Sequence, residues 1–197
     1  MLGGPEESPM EGPRSAYLAL LRGINVGGKN RLPMRELRDA FTGIGCTSVE
    51  SHIQSGNVFF RATERLAAEV PERVAECLSK RFGLRVPVVL RTAMQLRAAA
   101  NANPFVRPGV DLATLYVAFL VDRPSVQQMA ALDPLRSPPD EFVARGREVY
   151  LRLPNGGARS KLTNAYLDGT LATISTVRNW RTVLKLVELA AVGRCRT

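Results

Sequence analysis

Hydrophobic positions along the chain alternate between strand-like runs and helix-like spacing. The apolar run Ala16–Leu21 predicts a strand, and behind Pro33 the residues Met34, Leu37 and Phe41 recur at the spacing of one helix face. The predicted elements of the first half are strands over Ala16–Leu21, Ser48–Ile53, Asn57–Arg61 and Val86–Leu90, a helix after Pro33 and a helix between the Thr63 cap and Gly83. Their order is β-α-β-β-α-β.

A connector leads to a second set of elements in the same order. Thr92 is predicted to cap a short helix that runs to about Ala100, and Asn103–Gly109 breaks it. The second set comprises a strand over Leu112–Val121, a helix over Ser125–Leu132, a hairpin of Glu141–Ala144 and Glu148–Leu153 about Arg145-Gly146, a helix over Arg159–Leu167, a strand over Ala172–Ser175 and a final helix over Asn179–Ala191.

These patterns predict an α+β fold of two tandem ferredoxin-like (β-α-β-β-α-β) halves with antiparallel or mixed sheets. The predicted division is a disordered N-terminal tail over 1–14, a first half over 15–92, a connector helix and loop over 93–111, and a second half with a C-terminal helix over 112–197.

The predicted topology places particular loops side by side. In a β-α-β-β-α-β unit, the loop that leaves the first strand lies at the same end as the turn between strands two and three. In the first half this brings Arg22–Asn30 beside Gln54–Asn57. Glycines there let backbone N–H groups approach an anion, and basic side chains add charge. The candidate ligand-binding residues of this first edge are Arg22, Asn25, Gly27, Gly28, Lys29, Ser55 and Asn57.

A second edge is predicted in the second half, where the same topology pairs Asn155–Lys161 with Thr176–Thr182. Each segment is predicted to open a helix, and helix N-termini with basic side chains bind anions. Trp180 offers a stacking face for a base, or it anchors the last helix in the core. The candidate residues of this second edge are Arg159, Lys161, Arg178, Asn179, Trp180 and Arg181.

The same segments are also typical of plain scaffold turns. Ser160 and Asn179 suit helix caps, and Gln54–Asn57 suits a hairpin turn. Neither the phosphate-loop pattern nor the dinucleotide fingerprint occurs, and no catalytic constellation stands out. Asp168 and Glu188 lie in helical contexts that are typical of a solvated surface.

The amino-acid composition shows an excess of positive charge, and it argues against disulfide, metal and cofactor sites. The 197 residues carry a formal net charge of +9, mostly from arginine, which favours an anionic partner or reflects the composition of a GC-rich genome. Three cysteines far apart and one histidine predict no disulfide framework, no metal site and no cofactor. Apolar runs have only the length of strands, and the N-terminal residues lack the features of a signal peptide, so we expect a cytoplasmic protein without a membrane partner.

The same segments resemble a known family, the bacterial proteins called domain of unknown function 1697. The resemblance rests on five segments in order along the chain: Leu20–Asn30, Ile53–Val58, Asn103–Phe105, Arg159–Leu162 and Arg178–Thr182. It implies tandem ferredoxin-like units, in agreement with the pattern above, and it implies no catalytic residues. His52 stands where an aromatic Tyr is usual in the family, and Val177 where Thr is common.

Three functions stay open on the sequence. The first is binding of a phosphate-bearing ligand, a nucleotide or nucleic acid, through the Gly/Arg/Asn-rich loops, and such binding weakens with salt. The second is a small enzyme for an anionic metabolite, with Arg22, Arg178 and Arg181 as charge clamps and Ser55 or Asn57 orienting the substrate. The third is a scaffold or protein-interaction module. The oligomeric state is open.

Overall fold

The first half follows the predicted order of strands and helices. The structure is a computed structural model, and it describes residues 12–25, 30–54 and 56–192. The elements of the first half are β1 (Ser15–Leu21), α1 (Met34–Gly43), β2 (Thr47–His52), β3 (Asn57–Ala62), α2 (Glu64–Phe82), β4 (Val88–Thr92) and α3 (Ala93–Asn101). Thr63 caps α2 through its side chain, Thr92 caps α3, and Gly83 ends α2 in a left-handed conformation, each as predicted.

The second half repeats this order. In both halves, one helix follows the last strand of the predicted β-α-β-β-α-β unit. The elements of the second half are β5 (Leu115–Leu120), α4 (Val126–Ala130), β6 (Glu141–Arg145), β7 (Glu148–Arg152), α5 (Asn164–Leu171), β8 (Ser175–Asn179) and α6 (Trp180–Val192). The repeat in both halves is therefore β-α-β-β-α-β-α. The helix predicted as a connector, α3, is the counterpart of α6, and these two helices pack against each other.

Each half forms one four-stranded antiparallel sheet. The strand orders are β2-β3-β1-β4 and β6-β7-β5-β8, with every neighbouring pair antiparallel. This is the order that two crossover connections produce in a ferredoxin-like unit. The prediction of two tandem ferredoxin-like halves is confirmed.

Three hydrophobic cores follow from side chains that alternate along the central strands. In β1, Ala19 and Leu21 pack under α1 and α2, whereas Leu18 and Leu20 point to the opposite sheet face. In β5, Ala118 and Leu120 pack under the helices of the second half. The other face of β5 joins β1, β4, α3 and α6 in a core that the two halves share. Both central strands are therefore buried on two faces, which explains their continuous apolar runs.

The helix predicted over Arg159–Leu167 is wrong at both ends. The helix α5 begins at Asn164 and is capped by the Thr163 side chain, which accepts a hydrogen bond from the Tyr166 N–H. Ser160 instead accepts from the Leu162 N–H in a local turn. The helix ends at Leu171, because Ala172 has a positive φ of 50°.

Two strands lie further along the chain than the sequence predicts. β8 spans Ser175–Asn179 rather than Ala172–Ser175, and β4 spans Val88–Thr92 rather than Val86–Leu90. Both shifts place an arginine, Arg178 or Arg91, inside a strand. An inward-pointing charge interrupts the apolar pattern that predicts a strand. The predicted strand over Leu112–Val121 also shortens, since Leu112–Thr114 forms a 3-10 turn capped by the Asp111 side chain.

The predicted tail over 1–14 lies largely outside the described residues. Arg14 is described, and its Nη1 donates to the Gly45 carbonyl at 2.8 Å. Within the described part of the chain, none of the helices combines the length and apolar character that crossing a bilayer demands.

Candidate functional site

The predicted first edge exists, because the loop after β1 packs directly on the β2–β3 turn. The Leu21 N–H donates to the Gly56 carbonyl at 2.7 Å. Gly56 has a φ of +71°, and a Cβ atom there would lie 2.9 Å from the Leu21 Cβ and 3.0 Å from Ile24 side-chain atoms. Only glycine fits this contact without displacing its neighbours.

A cavity of about 530 Å³ opens at this edge, and we call it the edge cavity. Asn25, from the loop after β1, and Gln54, from the β2–β3 turn, both line it. The structure thus brings the two predicted segments to one concave surface. The remaining lining residues belong to the start of α1 and the chain before it: Arg31, Leu32, Pro33 and Met34.

Two asparagine side chains form hydrogen bonds across the loop beside the edge cavity. The Asn25 side chain donates to the Leu32 carbonyl and accepts from the Leu32 N–H, both at 2.9 Å. The Asn30 side chain donates to the Gly23 carbonyl at 2.8 Å. Asn25 and Asn30 have positive φ angles of 54° and 50°, a conformation that asparagine tolerates better than most residues. Asn25 therefore shapes the loop as well as lining the cavity.

Arg22 reaches away from the edge cavity toward the second half. Its Nη1 donates to the Asp168 carboxylate at 2.5 Å and to the Ser175 carbonyl at 3.0 Å. The other Asp168 oxygen accepts from the Ser175 N–H and hydroxyl, at 2.8 Å and 2.6 Å. The expectation that Asp168 lies on a solvated helix surface is wrong, because this carboxylate joins α5 and β8 to the first half.

Arg178 also crosses between the halves, and it is buried. Its Nε donates to the Asn57 Oδ1 at 2.8 Å, and its Nη2 donates to the carbonyls of Leu21 at 2.7 Å and Gly56 at 3.3 Å. Its Nη1 donates to the Thr176 hydroxyl and the Val177 carbonyl. Burial lowers the pKa of the Arg178 guanidinium to about 10. Arg178 is thus part of the first edge rather than the second, where the sequence predicts it.

Arg91 makes the equivalent contact in the opposite direction. Both arginines are the penultimate residue of the last strand of their half. The Nη1 of each donates to the carbonyl of the preceding residue. The Nη2 of Arg91 donates to the carbonyls of Leu120, which ends β5, and Arg147, which precedes β7. The Nη2 of Arg178 donates to the carbonyls at the same positions of the first half, where β1 ends and just before β3. The Nε of each donates to the side chain that opens the third strand of the other half. We call Arg91 and Arg178 the reciprocal arginines, since their bonds relate the halves by an approximate twofold axis.

One chemical difference separates the reciprocal arginines. Arg91 donates to the Glu148 carboxylate at 3.0 Å, whereas Arg178 donates to the Asn57 carboxamide at the equivalent position. Burial lowers the pKa of Arg91, and the Glu148 carboxylate raises it part of the way back. The Arg91 guanidinium also lies 5.5 Å from the Phe119 ring centroid.

The segments of the predicted second edge have other roles. The loop before α5 reaches the edge where β8 ends, since the Gly157 N–H contacts the Tyr116 hydroxyl at 3.4 Å and Tyr116 pairs with Asn179. The Asn179 side chain caps α6 by accepting from the Thr182 N–H. Trp180 is 3% exposed and belongs to the shared core, so it presents no stacking face.

Three basic candidates of the second edge stay on the surface. Arg159, Lys161 and Arg181 are all exposed. The Lys161 backbone is fixed, because its N–H donates to the Ser137 hydroxyl at 3.0 Å. Four candidates of the first edge lie outside the described residues: Gly27, Gly28, Lys29 and Ser55.

Residues 15–150 match the family described as protein of unknown function DUF1697. The chain belongs to this family. The family that the sequence resembles is therefore confirmed over these residues, which include both central strands. The segments Arg159–Leu162 and Arg178–Thr182 lie beyond the matched range.

The chain is also similar to a solved structure. The conserved bacterial protein SP0830 from Streptococcus pneumoniae aligns with a TM-score of 0.67 at 25% sequence identity. The alignment covers 90% of this chain and 99% of that one. A search of curated proteins finds no match. The function must therefore be argued from the site itself.

The sequence interpretation missed a second concave surface, in the second half. Arg123 follows β5, and Arg145 and Arg147 flank the β6–β7 turn; all three line one cavity. The sequence contains the information needed to predict this surface. The topological rule that places the loop after β1 beside the β2–β3 turn also places the loop after β5 beside the β6–β7 turn. The sequence interpretation treated Arg145-Gly146 only as turn chemistry.

Proposed function

We propose that the protein binds a phosphate-bearing ligand, a nucleotide or nucleic acid, at the edge cavity. The observation that carries the proposal is the meeting of Asn25 and Gln54 with Arg31 around one cavity of about 530 Å³. That volume lies within the range of small-molecule sites. Guanidinium and carboxamide N–H groups are donors for phosphate oxygens, and Arg31 is exposed.

The whole-chain charge supports the same class of ligand. A formal net charge of +9 raises the local concentration of anions around the molecule. The reciprocal arginines do not supply the contact, because Arg178 and Arg91 are buried and donate to protein oxygens. Arg22 is engaged with Asp168. The charge available at the edge cavity among the described lining residues is therefore that of Arg31.

The proposal is tested by fluorescence anisotropy with a labelled single-stranded oligonucleotide and a panel of labelled nucleotides, at low and increasing salt. We expect binding that weakens with salt, since each phosphate contact releases counterions. Arg31→Ala should weaken binding about ten-fold and reduce the salt slope by about one.

Arg65→Ala is the matched control. The Arg65 side chain is 93% exposed on α2 and does not line the cavity. Its substitution therefore removes the same charge from a site away from the cavity. We expect it to change binding less than about two-fold. Absence of binding by every probe at low salt contradicts the proposal, and so does an equal loss in the Arg31 and Arg65 variants.

A further inference from the structure

A second concave site lies between α3 and the β6–β7 turn, and we call it the arginine pocket. Its volume is about 500 Å³, which suits a small molecule. Arg123, Arg145 and Arg147 line one side of it. Two alanines of α3, Ala98 and Ala99, and Ala102 at its C-terminal end line the other. The pocket therefore combines an apolar wall with a cationic wall.

Backbone contacts hold two of these arginines at the pocket. The Arg145 Nη1 donates to the Ala102 carbonyl at 3.2 Å, and the Arg147 Nη1 lies 3.4 Å from the Val121 carbonyl. A guanidinium has five N–H donors. Each arginine thus keeps donors for a ligand after its side chain has been positioned.

The charge around the arginine pocket is positive. The buried Arg91 lies beneath it, since its Nη2 donates to the Arg147 carbonyl at 2.9 Å. The Glu148 carboxylate lines the pocket but accepts from Arg91. The nearby Asp122 carboxylate accepts from the Thr173 hydroxyl at 3.1 Å. The pocket lining therefore carries three guanidinium groups and one carboxylate, that of Glu148, which is paired with the buried Arg91.

The Tyr150 side chain lies buried behind the apolar wall, with 1% of it exposed. The Tyr150 hydroxyl donates to the Ala99 carbonyl at 2.9 Å. Burial raises the pKa of Tyr150 to about 12, so the side chain stays neutral at physiological pH. Its hydroxyl hydrogen serves the helix backbone, so Tyr150 holds α3 in place beside the pocket.

We propose that the arginine pocket binds a small organic anion. Arg145 and Arg147 hold its carboxylate or phosphate group, and its apolar body lies on the α3 alanines. Guanidinium groups bind both oxyanions through paired N–H donors. The site is separate from the edge cavity and does not depend on the function proposed there. It occupies the equivalent edge of the other half, where the loop after the first strand meets the hairpin turn.

Isothermal titration calorimetry with phenyl phosphate, benzoate and inorganic phosphate tests this assignment on the full chain. We expect at least one of the two aromatic anions to bind, and the tighter of them identifies the preferred group. Inorganic phosphate should bind about ten-fold more weakly than phenyl phosphate, because it lacks an apolar body. Arg145→Ala and Arg147→Ala should each weaken the aromatic anion about ten-fold.

Two further variants separate the pocket from general charge attraction. Arg97→Ala removes an exposed charge from α3 outside the pocket lining and should change affinity less than about two-fold. Ala98→Leu fills the apolar wall, so it should weaken the aromatic anion and spare inorganic phosphate. Thermal melting of each variant checks that it is folded.

Several results would overturn the assignment. Neither aromatic anion binds, or Arg97→Ala weakens binding as much as Arg145→Ala, or Ala98→Leu has no effect on the aromatic anion. Loss of binding in Arg31→Ala alone would place the anion in the edge cavity instead. If oligonucleotides and nucleotides fail to bind, by contrast, the function proposed for the edge cavity is contradicted, and the proposal for the arginine pocket is unaffected.

Discussion

At the scale of single residues, arginines of this chain divide into two physical classes. Arg91 and Arg178 are buried, and their N–H groups serve carbonyl and side-chain oxygens of the opposite half. Arg123 and Arg145 are exposed and line a cavity. Removing a buried arginine leaves several buried acceptors without a donor, whereas the acceptors of an exposed arginine can bond to water instead. The two classes therefore predict a large and a small loss of stability, respectively.

Arg178 and Arg181 lie close together in the sequence, but only Arg178 is buried, so replacing each in turn tests this distinction. Arg178→Met should lower the free energy of unfolding by about 3–5 kcal/mol, because Leu21 O, Gly56 O and Asn57 Oδ1 all lose a buried donor and an unsatisfied buried acceptor costs about 1–3 kcal/mol. Urea denaturation followed by circular dichroism measures the change.

Arg181→Met is the control for this substitution. Arg181 is exposed and lies only three positions further along the chain, so its replacement should change stability by about 0.5 kcal/mol or less. Equal effects of the two substitutions would show that Arg178 does not join the halves as described.

At the scale of elements, the ends of the first and third strands decide where the edge cavity forms. The β2–β3 turn packs on the loop after β1 through Gly56, and the same turn supplies Gln54 to the cavity. In the second half, the β6–β7 turn supplies Arg145 and Arg147. The fold thus presents the hairpin turn of each half beside its first loop, and each turn contributes polar side chains to a cavity.

Two glycines with similar backbone angles give a matched test at this scale. Gly56 and Gly83 have φ angles of +71° and +67°, but only Gly56 has atoms close to the position of a Cβ. Gly83→Ala should cost about 1–2 kcal/mol, the penalty of the left-handed conformation alone. Gly56→Ala adds a steric conflict with Leu21 and Ile24 and should cost about 2–5 kcal/mol.

Thermal or urea denaturation distinguishes the two glycine variants. Nucleotide binding by folded Gly56→Ala should also weaken, because the turn must move away from the loop after β1. A stability loss that is no greater for Gly56→Ala than for Gly83→Ala would refute the close packing at the first edge.

At the scale of the whole molecule, the two halves share one hydrophobic core. The shared core draws residues from β1, β4 and α3 of the first half and from β5, β7 and α6 of the second. The reciprocal arginines and the Arg22–Asp168 ion pair add polar contacts at the rim of this core. Neither half can bury its inner sheet face without the other, so neither is expected to remain folded alone.

The single tryptophan reports on this coupling. Trp180 lies in the shared core, whereas the circular dichroism signal comes from the helices and strands of both halves. We expect the two signals to give coincident urea transitions, as a two-state unfolding requires. A fluorescence transition at lower urea than the dichroism transition would mean that the halves separate before they unfold.

The order of elements, the two ferredoxin-like halves and the meeting of the loop after β1 with the β2–β3 turn all follow from the amino-acid sequence. These features depend on local periodicity, caps such as Thr63 and Thr92, and the topological rules of one sheet. Local signals failed where a strand carries an inward arginine. Arg91 and Arg178 therefore lay beyond their predicted strands, and the helix before β8 was placed too early.

The way the halves face each other, and the role of each arginine, follow from long-range packing and not from local sequence. An arginine in a sequence has the same charge whether it binds a ligand or a buried carbonyl, and burial depends on residues more than 100 positions away, as the Arg178–Asn57 bond shows. Packing of the two sheets around one core converted Arg178 from a candidate ligand contact into a link between halves. The same packing set Arg145 and Arg147 beside α3, where they line a cavity.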